Sequence, residues 1–288
     1  MFKGSIVALV TPFKDSQVDY TKIEELVEMH VSSGTHGIVP CGTTGEAPTL
    51  DFEEHIKVIE TTVKAVNKRV PVIAGTGSNS TAETVYLTEQ AKKVGADAVL
   101  ISTPYYNKPP QKGLYEHYKK VNDSVDIPIV LYNVPGRTAV SFTTETVTRL
   151  AELKNVVALK EASGSVDTTS QIIAQSDITV LSGDDSLTLP LISVGAKGVI
   201  SVTANVAPKE MSALVEAALK GDYDTARKMH YSLMSLFKVL FVESNPIPVK
   251  AALELMGKIS GDLRLPLCRI DDANKEKVKK VLQECSLV

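Results

Sequence analysis

Short, nearly continuous apolar runs rich in Val and Ile recur along the first two thirds of the chain, at residues 5–10, 37–41, 70–75, 98–103, 128–134, 156–162, 179–183 and 198–203. None alternates cleanly between apolar and polar positions, which suits parallel strands covered on both faces. Between them apolar residues return every three or four positions, predicting helices over 20–31, 51–66, 81–94, 113–121, 143–153, 167–174 and 187–194. The ends of these helices are signalled too. Asp51 with Glu54, and Ser80 with Glu83, have capping-box spacing, in which each side chain satisfies the other's free backbone donor. Gly34, Gly95 and Gly195 follow helices where a left-handed residue closes the last turn.

Eight strands with seven intervening helices predict an α/β fold, a (β/α)8 TIM barrel. A doubly wound sheet is the competing fold. No GxGxxG follows the first strand, where Val10-Thr11-Pro12 stands, and Gly75-Thr76-Gly77 is too short a match to supply one. After Asn205 the strand signals stop. Residues 208–219 read as the eighth barrel helix, and 223–240, 246–256 and 274–285 as a small helical addition. We therefore divide the chain into a barrel at 1–224 and a C-terminal helical domain at 225–288.

Composition narrows the function. The 288 residues carry 31 basic and 34 acidic side chains, a net charge of −3, with no Lys/Arg-rich run, which argues against a nucleic-acid partner. No apolar stretch approaches the ~20 residues of a membrane span. The first apolar run lacks a small-residue cleavage pattern and reads as a strand instead of a signal peptide. Three distant cysteines without a CxxC suggest a reducing cytoplasm. Five histidines never fall at HxH or HExxH spacing, so no metal is expected.

Barrel active sites lie where strands end, which directs attention to the polar residues there. Lys160 directly follows Val156-Val157-Ala158-Leu159. Desolvation disfavours an ammonium, and a neutral amine attacks a ketone to form a Schiff base. The competing reading is a lysine that snorkels to solvent or pairs with Glu161. Tyr132 ends the neighbouring strand, about 4.8 Å away across a parallel pair, close enough for its phenol to move protons at a carbinolamine. Alternatively it is a core aromatic. The turn Cys41-Gly42-Thr43-Thr44-Gly45-Glu46 can hold a carboxylate on backbone N–H groups and hydroxyls, though such turns also occur without ligands. Arg137, just past Pro135-Gly136, suits a bidentate grip on a carboxylate or a plain surface position. Asp184-Asp185 lacks companions for a metal and reads as loop hydrogen bonding. A lysine, phenols, hydroxyls and an arginine on one rim point to Schiff-base chemistry on a small keto acid.

These residues resemble the pyruvate-dependent class I aldolases, and within them the dihydrodipicolinate synthase family. The resemblance rests on GTTGE at 42–46, TPYYN at 103–107, YNVPGRT at 132–138, LKEASG at 159–164, LSGDD at 181–185 and GVISVTAN at 198–205, with NPIPVK at 245–250 and LRLP at 263–266 extending it along essentially the whole chain. It implies condensation of pyruvate with L-aspartate 4-semialdehyde on the diaminopimelate route to L-lysine. Carried over residue by residue, it implies a Schiff base on Lys160 and proton transfer by Tyr132 through Thr43 to Tyr106, the last reaching in from a neighbouring subunit. Thr44 and the Ile200 backbone would bind pyruvate, and Arg137 the semialdehyde carboxylate. Lyases for sialic acid or 2-keto-3-deoxy sugars share the lysine and tyrosine but need no such arginine. Similar enzymes are homotetramers, dimers of dimers, without metal or organic cofactor. Lysine-sensitive members bind their inhibitor at the tight dimer interface, where this chain has His55, Asn79, Glu83 and Tyr105. Ala47 and Phe52 depart from that pattern, standing where serine and histidine are often found. A non-catalytic barrel that merely binds a keto acid is the reading from a different class.

Overall fold

The computed structural model describes residues 2–288. Its barrel strands are β1 Gly4–Ala8, β2 Gly37–Val39, β3 Ile73–Gly75, β4 Ala98–Ser102, β5 Ile129–Asn133, β6 Val156–Glu161, β7 Thr179–Ser182 and β8 Gly198–Ser201. They form one parallel sheet in the order β2-β1-β8-β7-β6-β5-β4-β3. The two ends of that order meet. Ile38 bridges Val72 in parallel, its N–H donates to the Pro71 carbonyl at 3.0 Å, and the Gly75 N–H donates to the Pro40 carbonyl at 2.9 Å. At this seam the chains run so close that a Cβ on Gly75 would lie 2.0 Å from the Cys41 carbonyl oxygen, so only glycine fits. The sheet is thus a closed (β/α)8 barrel, as the spacing of apolar runs predicts.

The surrounding helices are α1 Tyr20–Ser32, α2 Phe52–Val66, α3 Thr81–Lys93, α4 Gln111–Ser124, α5 Thr144–Ala151, α6 Val166–Gln175, α7 Thr188–Ser193 and α8 Pro208–Leu219. Three more follow: α9 Tyr223–Val239, α10 Ile247–Leu255 and α11 Asp272–Glu284. The division at 224/225 falls in the first turn of α9. Small elements without a sequence signal include a hairpin of Phe13–Lys14 with Gln17–Val18, and a single helical turn at Pro135–Thr138. Both are too short for periodicity to register.

Side chains separate into two apolar layers, as expected of strands with alternating faces. Ile6, Ala8, Val39, Ile73, Leu100, Val130, Ala158, Leu181 and Ile200 fill the barrel, with Tyr132 among them. The opposite faces pack against the helices in a larger continuous core. The Asp51–Glu54 capping box forms in full at α2. That at α3 forms by half. Ser80 accepts from the Glu83 N–H, but the Glu83 carboxylate accepts from Ser78 Oγ at 2.6 Å, and Ser78 Oγ in turn accepts from the Ser80 N–H. Glu83 is accordingly not consumed by the helix end.

His30 on α1 is fully buried, with Nδ1 3.3 Å from Thr35 Oγ1 and, among the described residues, no hydrogen-bond partner for Nε2. Burial lowers its pKa to about 3. A histidine in the unfolded chain takes up a proton below ~6.5, so between these values acid favours unfolding. The stability it confers is complete above the unfolded value and is lost as pH falls toward the folded one. We expect a urea-unfolding series to show wild type losing about 2 kcal/mol more than His30→Leu between pH 7 and pH 5. Parallel losses in the two proteins would place the acid sensitivity elsewhere.

Candidate active site

Parallel register decides the central geometry. On β5 and β6, Tyr132 stands directly opposite Lys160, and Asn133 opposite Glu161. Adjacent residues of a strand face opposite sides, so Lys160 and Tyr132 turn together into the barrel mouth. The Lys160 Nζ lies 4.1 Å from the centre of the Tyr132 ring, and the lysine is only 6% exposed. Glu161 turns the other way, accepting hydrogen bonds from Asn133 Nδ2 at 2.9 and 3.2 Å and from the Ser163 N–H at 2.7 Å. The ion-pair reading of Lys160 therefore fails: among the described residues no carboxylate pairs with it. It is a buried amine beside a phenol.

An inner cavity of about 80 Å³ brings Lys160 and Tyr132 together with Thr43, Thr44, Arg137 and Asp184. Thr44 is buried, and its hydroxyl accepts from Asn245 Nδ2 at 3.0 Å. A hydroxyl whose oxygen is already engaged as acceptor is left with its proton to donate, which suits a carboxylate. Arg137 lies on the single turn after β5, exposed at the mouth, and donates from Nη2 to the Asn245 carbonyl at 3.1 Å. A wider cavity of about 370 Å³ adjoins this one and shares Thr43, Tyr132 and Arg137 with it. His55, Glu83 and Tyr105 line its outer part, together with Ala47 and Phe52. Asn79 does not line it; its carbonyl accepts from Asn107 Nδ2 at 2.9 Å.

Besides Asn79, two residues named from the sequence line neither cavity, Tyr106 and Ile200. Tyr106 is 89% exposed and lines neither cavity. Its φ of 71° is strained for an aromatic residue, so the loop holds the ring away from its own barrel. No hydrogen bond joins the Tyr132 phenol to Thr43, although both line the two cavities. Ile200, opposite Ile6, is fully buried in the barrel interior and lines neither cavity. Asp185 is the loop-bonding residue the sequence suggests: its Oδ2 accepts from the Val202 and Thr203 N–H groups and from Thr203 Oγ1. Burial raises the pKa of Asp185, and those hydrogen bonds oppose the shift.

Comparison with known proteins agrees with this geometry. A family model described as the dihydrodipicolinate synthetase family matches residues 1–285. The chain belongs to that family. A curated relative from Thermodesulfovibrio yellowstonii, a 4-hydroxy-tetrahydrodipicolinate synthase, is 58% identical over the whole of both chains. A dihydrodipicolinate synthase from Acinetobacter baumannii, solved in complex with pyruvate, superposes with a TM-score of 0.98 at 47% identity over all of both chains. Another from Cyanidioschyzon merolae, solved with lysine bound, gives 0.97 at 40% identity, covering 100% of this chain and 99% of that one. These solved structures share the barrel over essentially the whole chain.

What sequence reasoning missed lies beneath the 42–46 loop. Glu46 and Lys250 form an ion pair at 2.6 Å with both side chains wholly buried. Lys250 Nζ also donates to the Thr11 carbonyl at 2.9 Å and stands 4.3 Å from the Phe13 ring centre. Burial lowers the Lys250 pKa, against the pull of Glu46. The second Glu46 oxygen accepts from the Arg264 N–H at 3.1 Å, and the Arg264 guanidinium grips both Glu54 oxygens at 2.6 Å. The segment from Asn245 to Arg264 thus fastens the loop that carries Thr43 and Thr44. NPIPVK and LRLP were the visible signals, but nothing in them names the partners.

Proposed function

We infer that this chain is a Schiff-base lyase with 4-hydroxy-tetrahydrodipicolinate synthase activity, condensing pyruvate with L-aspartate 4-semialdehyde. The observation that carries the reading is the Lys160–Tyr132 pair, in register and at 4.1 Å, in a cavity that also holds Thr44 and Arg137. The Thr44 hydroxyl receives the pyruvate carboxylate. The Lys160 amine attacks the C2 carbonyl, and loss of water leaves a protonated imine. That imine draws electrons from the methyl carbon, so Tyr132 can remove a proton and leave an enamine. The enamine carbon adds to the semialdehyde carbonyl while Arg137 holds the semialdehyde carboxylate. Tyr132 returns a proton to the new alkoxide. The substrate amine then attacks C2, closes a six-membered ring and releases Lys160. Every electron shift is accommodated by the imine, so the sequence of steps calls on no metal or organic cofactor.

Tyr106 serves the site of a neighbouring subunit in this reading, supported by its exposure and strained backbone, and links to the partner's Tyr132 through Thr43. The assembly is a homotetramer, a dimer of dimers. The test compares pyruvate consumption with L-aspartate 4-semialdehyde, N-acetylmannosamine and glyceraldehyde, on protein whose sedimentation shows four chains. Turnover confined to a sugar aldehyde would overturn the acceptor. A mass of one chain in fully active protein would overturn the shared site.

L-Lysine is the proposed feedback inhibitor. Support comes from the 370 Å³ cavity, where the Glu83 carboxylate, Tyr105 and His55 offer polar partners to a cationic amino acid. Asn79 lies beside it in sequence with Ser78, which does line the cavity. Millimolar lysine is expected to lower the rate, and Glu83→Gln to weaken that inhibition by about tenfold, the usual worth of a charge-assisted hydrogen bond. A rate indifferent to lysine in wild type removes the inhibitor role.

A further inference from the structure

The condensation described above makes a bond from the former methyl carbon of pyruvate to a carbonyl carbon. An imine lets electrons flow either way along such a bond. The enamine that adds to a carbonyl carbon is also the fragment left behind when a carbon of the same kind departs, and carbon dioxide is the smallest such leaving group. A 2-keto acid with a carboxylate in place of one methyl hydrogen of pyruvate, oxaloacetate, would reach the enamine by that route. The inner cavity suits this dianion. It holds two positions for carboxylates in about 80 Å³, together with the Lys160 amine. The Thr44 hydroxyl has its proton to donate, since its oxygen accepts from Asn245 Nδ2 at 3.0 Å. Arg137 spends an N–H of Nη2 on the Asn245 carbonyl at 3.1 Å, and a guanidinium has others to give. Much of the remaining wall is apolar, from Val39, Leu100, Val134, Val202 and Phe241. An iminium and a carboxylate brought together there without water are costly, whereas the enamine nitrogen and carbon dioxide that replace them carry no charge. Asp184 on the same wall repels a second carboxylate and leaves carbon dioxide untouched.

We propose, resting on the Schiff-base chemistry read above, that the chain has a second activity: it decarboxylates oxaloacetate through the Lys160 imine. The Lys160 amine adds to C2 and water leaves, giving a protonated imine. The C3–C4 bond then breaks. Its electron pair becomes the C2–C3 double bond, the imine pair moves onto nitrogen, and C4 departs as carbon dioxide. Tyr132 gives a proton to C3 and recovers one from solvent. Water then attacks C2, releasing pyruvate and restoring the Lys160 amine. One oxaloacetate and one proton become one pyruvate and one carbon dioxide, and the water lost in forming the imine is regained on its hydrolysis. The balance thus needs no oxidant or reductant. Enamine formation by this route also needs no base, because carbon dioxide leaves where pyruvate must lose a proton.

The test follows oxaloacetate labelled in its C4 carboxylate, with a chelator present to remove free metal ions. Wild type is expected to release labelled carbon dioxide about a hundredfold faster than Lys160→Ala, whose rate reads the uncatalysed background. Borohydride added during turnover should fix an unlabelled three-carbon adduct on Lys160. Arg137→Ala is expected to raise the KM for oxaloacetate about tenfold, the worth of a charge-assisted bond, and to lower kcat far less. A kcat that falls with KM unchanged would take the second carboxylate away from Arg137. Release no faster than in Lys160→Ala, or a labelled four-carbon adduct with no carbon dioxide set free, would overturn the decarboxylation. Wild type that borohydride fixes to neither oxaloacetate nor pyruvate would instead overturn the Schiff-base reading beneath it.

Discussion

Lys160→Ala is expected to fold normally, to take up no pyruvate on borohydride reduction, and to lose turnover by on the order of a thousandfold or more. Both halves follow from the surroundings of the amine. Lys160 is 6% exposed and pairs with no carboxylate among the described residues, so removing it strands no paired charge. What goes is a contact with the Tyr132 ring, worth roughly 0.5–2 kcal/mol, offset by relief of a desolvated amine. Catalysis has no such compensation, because without the imine the methyl proton has no electron sink. Mass spectrometry of the reduced adduct beside a urea-unfolding curve checks both halves, and an adduct on the variant would dismiss Lys160 as the nucleophile. Arg137→Ala makes the contrast: trapping is kept and semialdehyde use falls roughly a hundredfold. Loss of both would mean a collapsed site.

The second buried lysine should behave in the opposite way. Lys250→Met leaves the Glu46 carboxylate wholly buried without its cation, and such a loss costs about 3–5 kcal/mol. Thr44 shares the loop with Glu46, so weaker pyruvate binding should accompany the lost stability. The double variant Glu46→Gln/Lys250→Met removes both charges and is expected to regain most of the stability. Urea midpoints at unchanged m report it. A single variant within about 1 kcal/mol of wild type would show that the pair merely breaks even with water.

These two lysines also mark where sequence reading succeeds and where it stops. Lys160 is legible because its chemistry depends on local facts: a run of apolar residues, a strand end, and a tyrosine at the end of the preceding strand. Parallel register then has little freedom, and the pair falls opposite as expected. Lys250 lies on α10, where it reads as an ordinary helix position among apolar neighbours. Its partner is 204 residues away in sequence, and no periodicity encodes a contact of that span. Asn245 was hidden for the same reason, since its roles are defined by Thr44 and Arg137. The short hairpin and the turn at Pro135–Thr138 escaped on length alone. Tyr106 is a third kind of case: its likeness to a family motif names a role, while in its own chain the side chain is 89% exposed.

The fastening of the 42–46 loop by residues 245–264 sets an order on the birth of the enzyme. At a synthesis rate of about 5–20 residues per second, the loop leaves the ribosome roughly ten to forty seconds before its anchors exist. Through that interval Glu46 faces water and Thr44 has no asparagine to orient its hydroxyl. A nascent chain can therefore close much of its barrel, with Lys160 already in place, and still be unable to grip its keto acid. Competence arrives late, when the last helices dock.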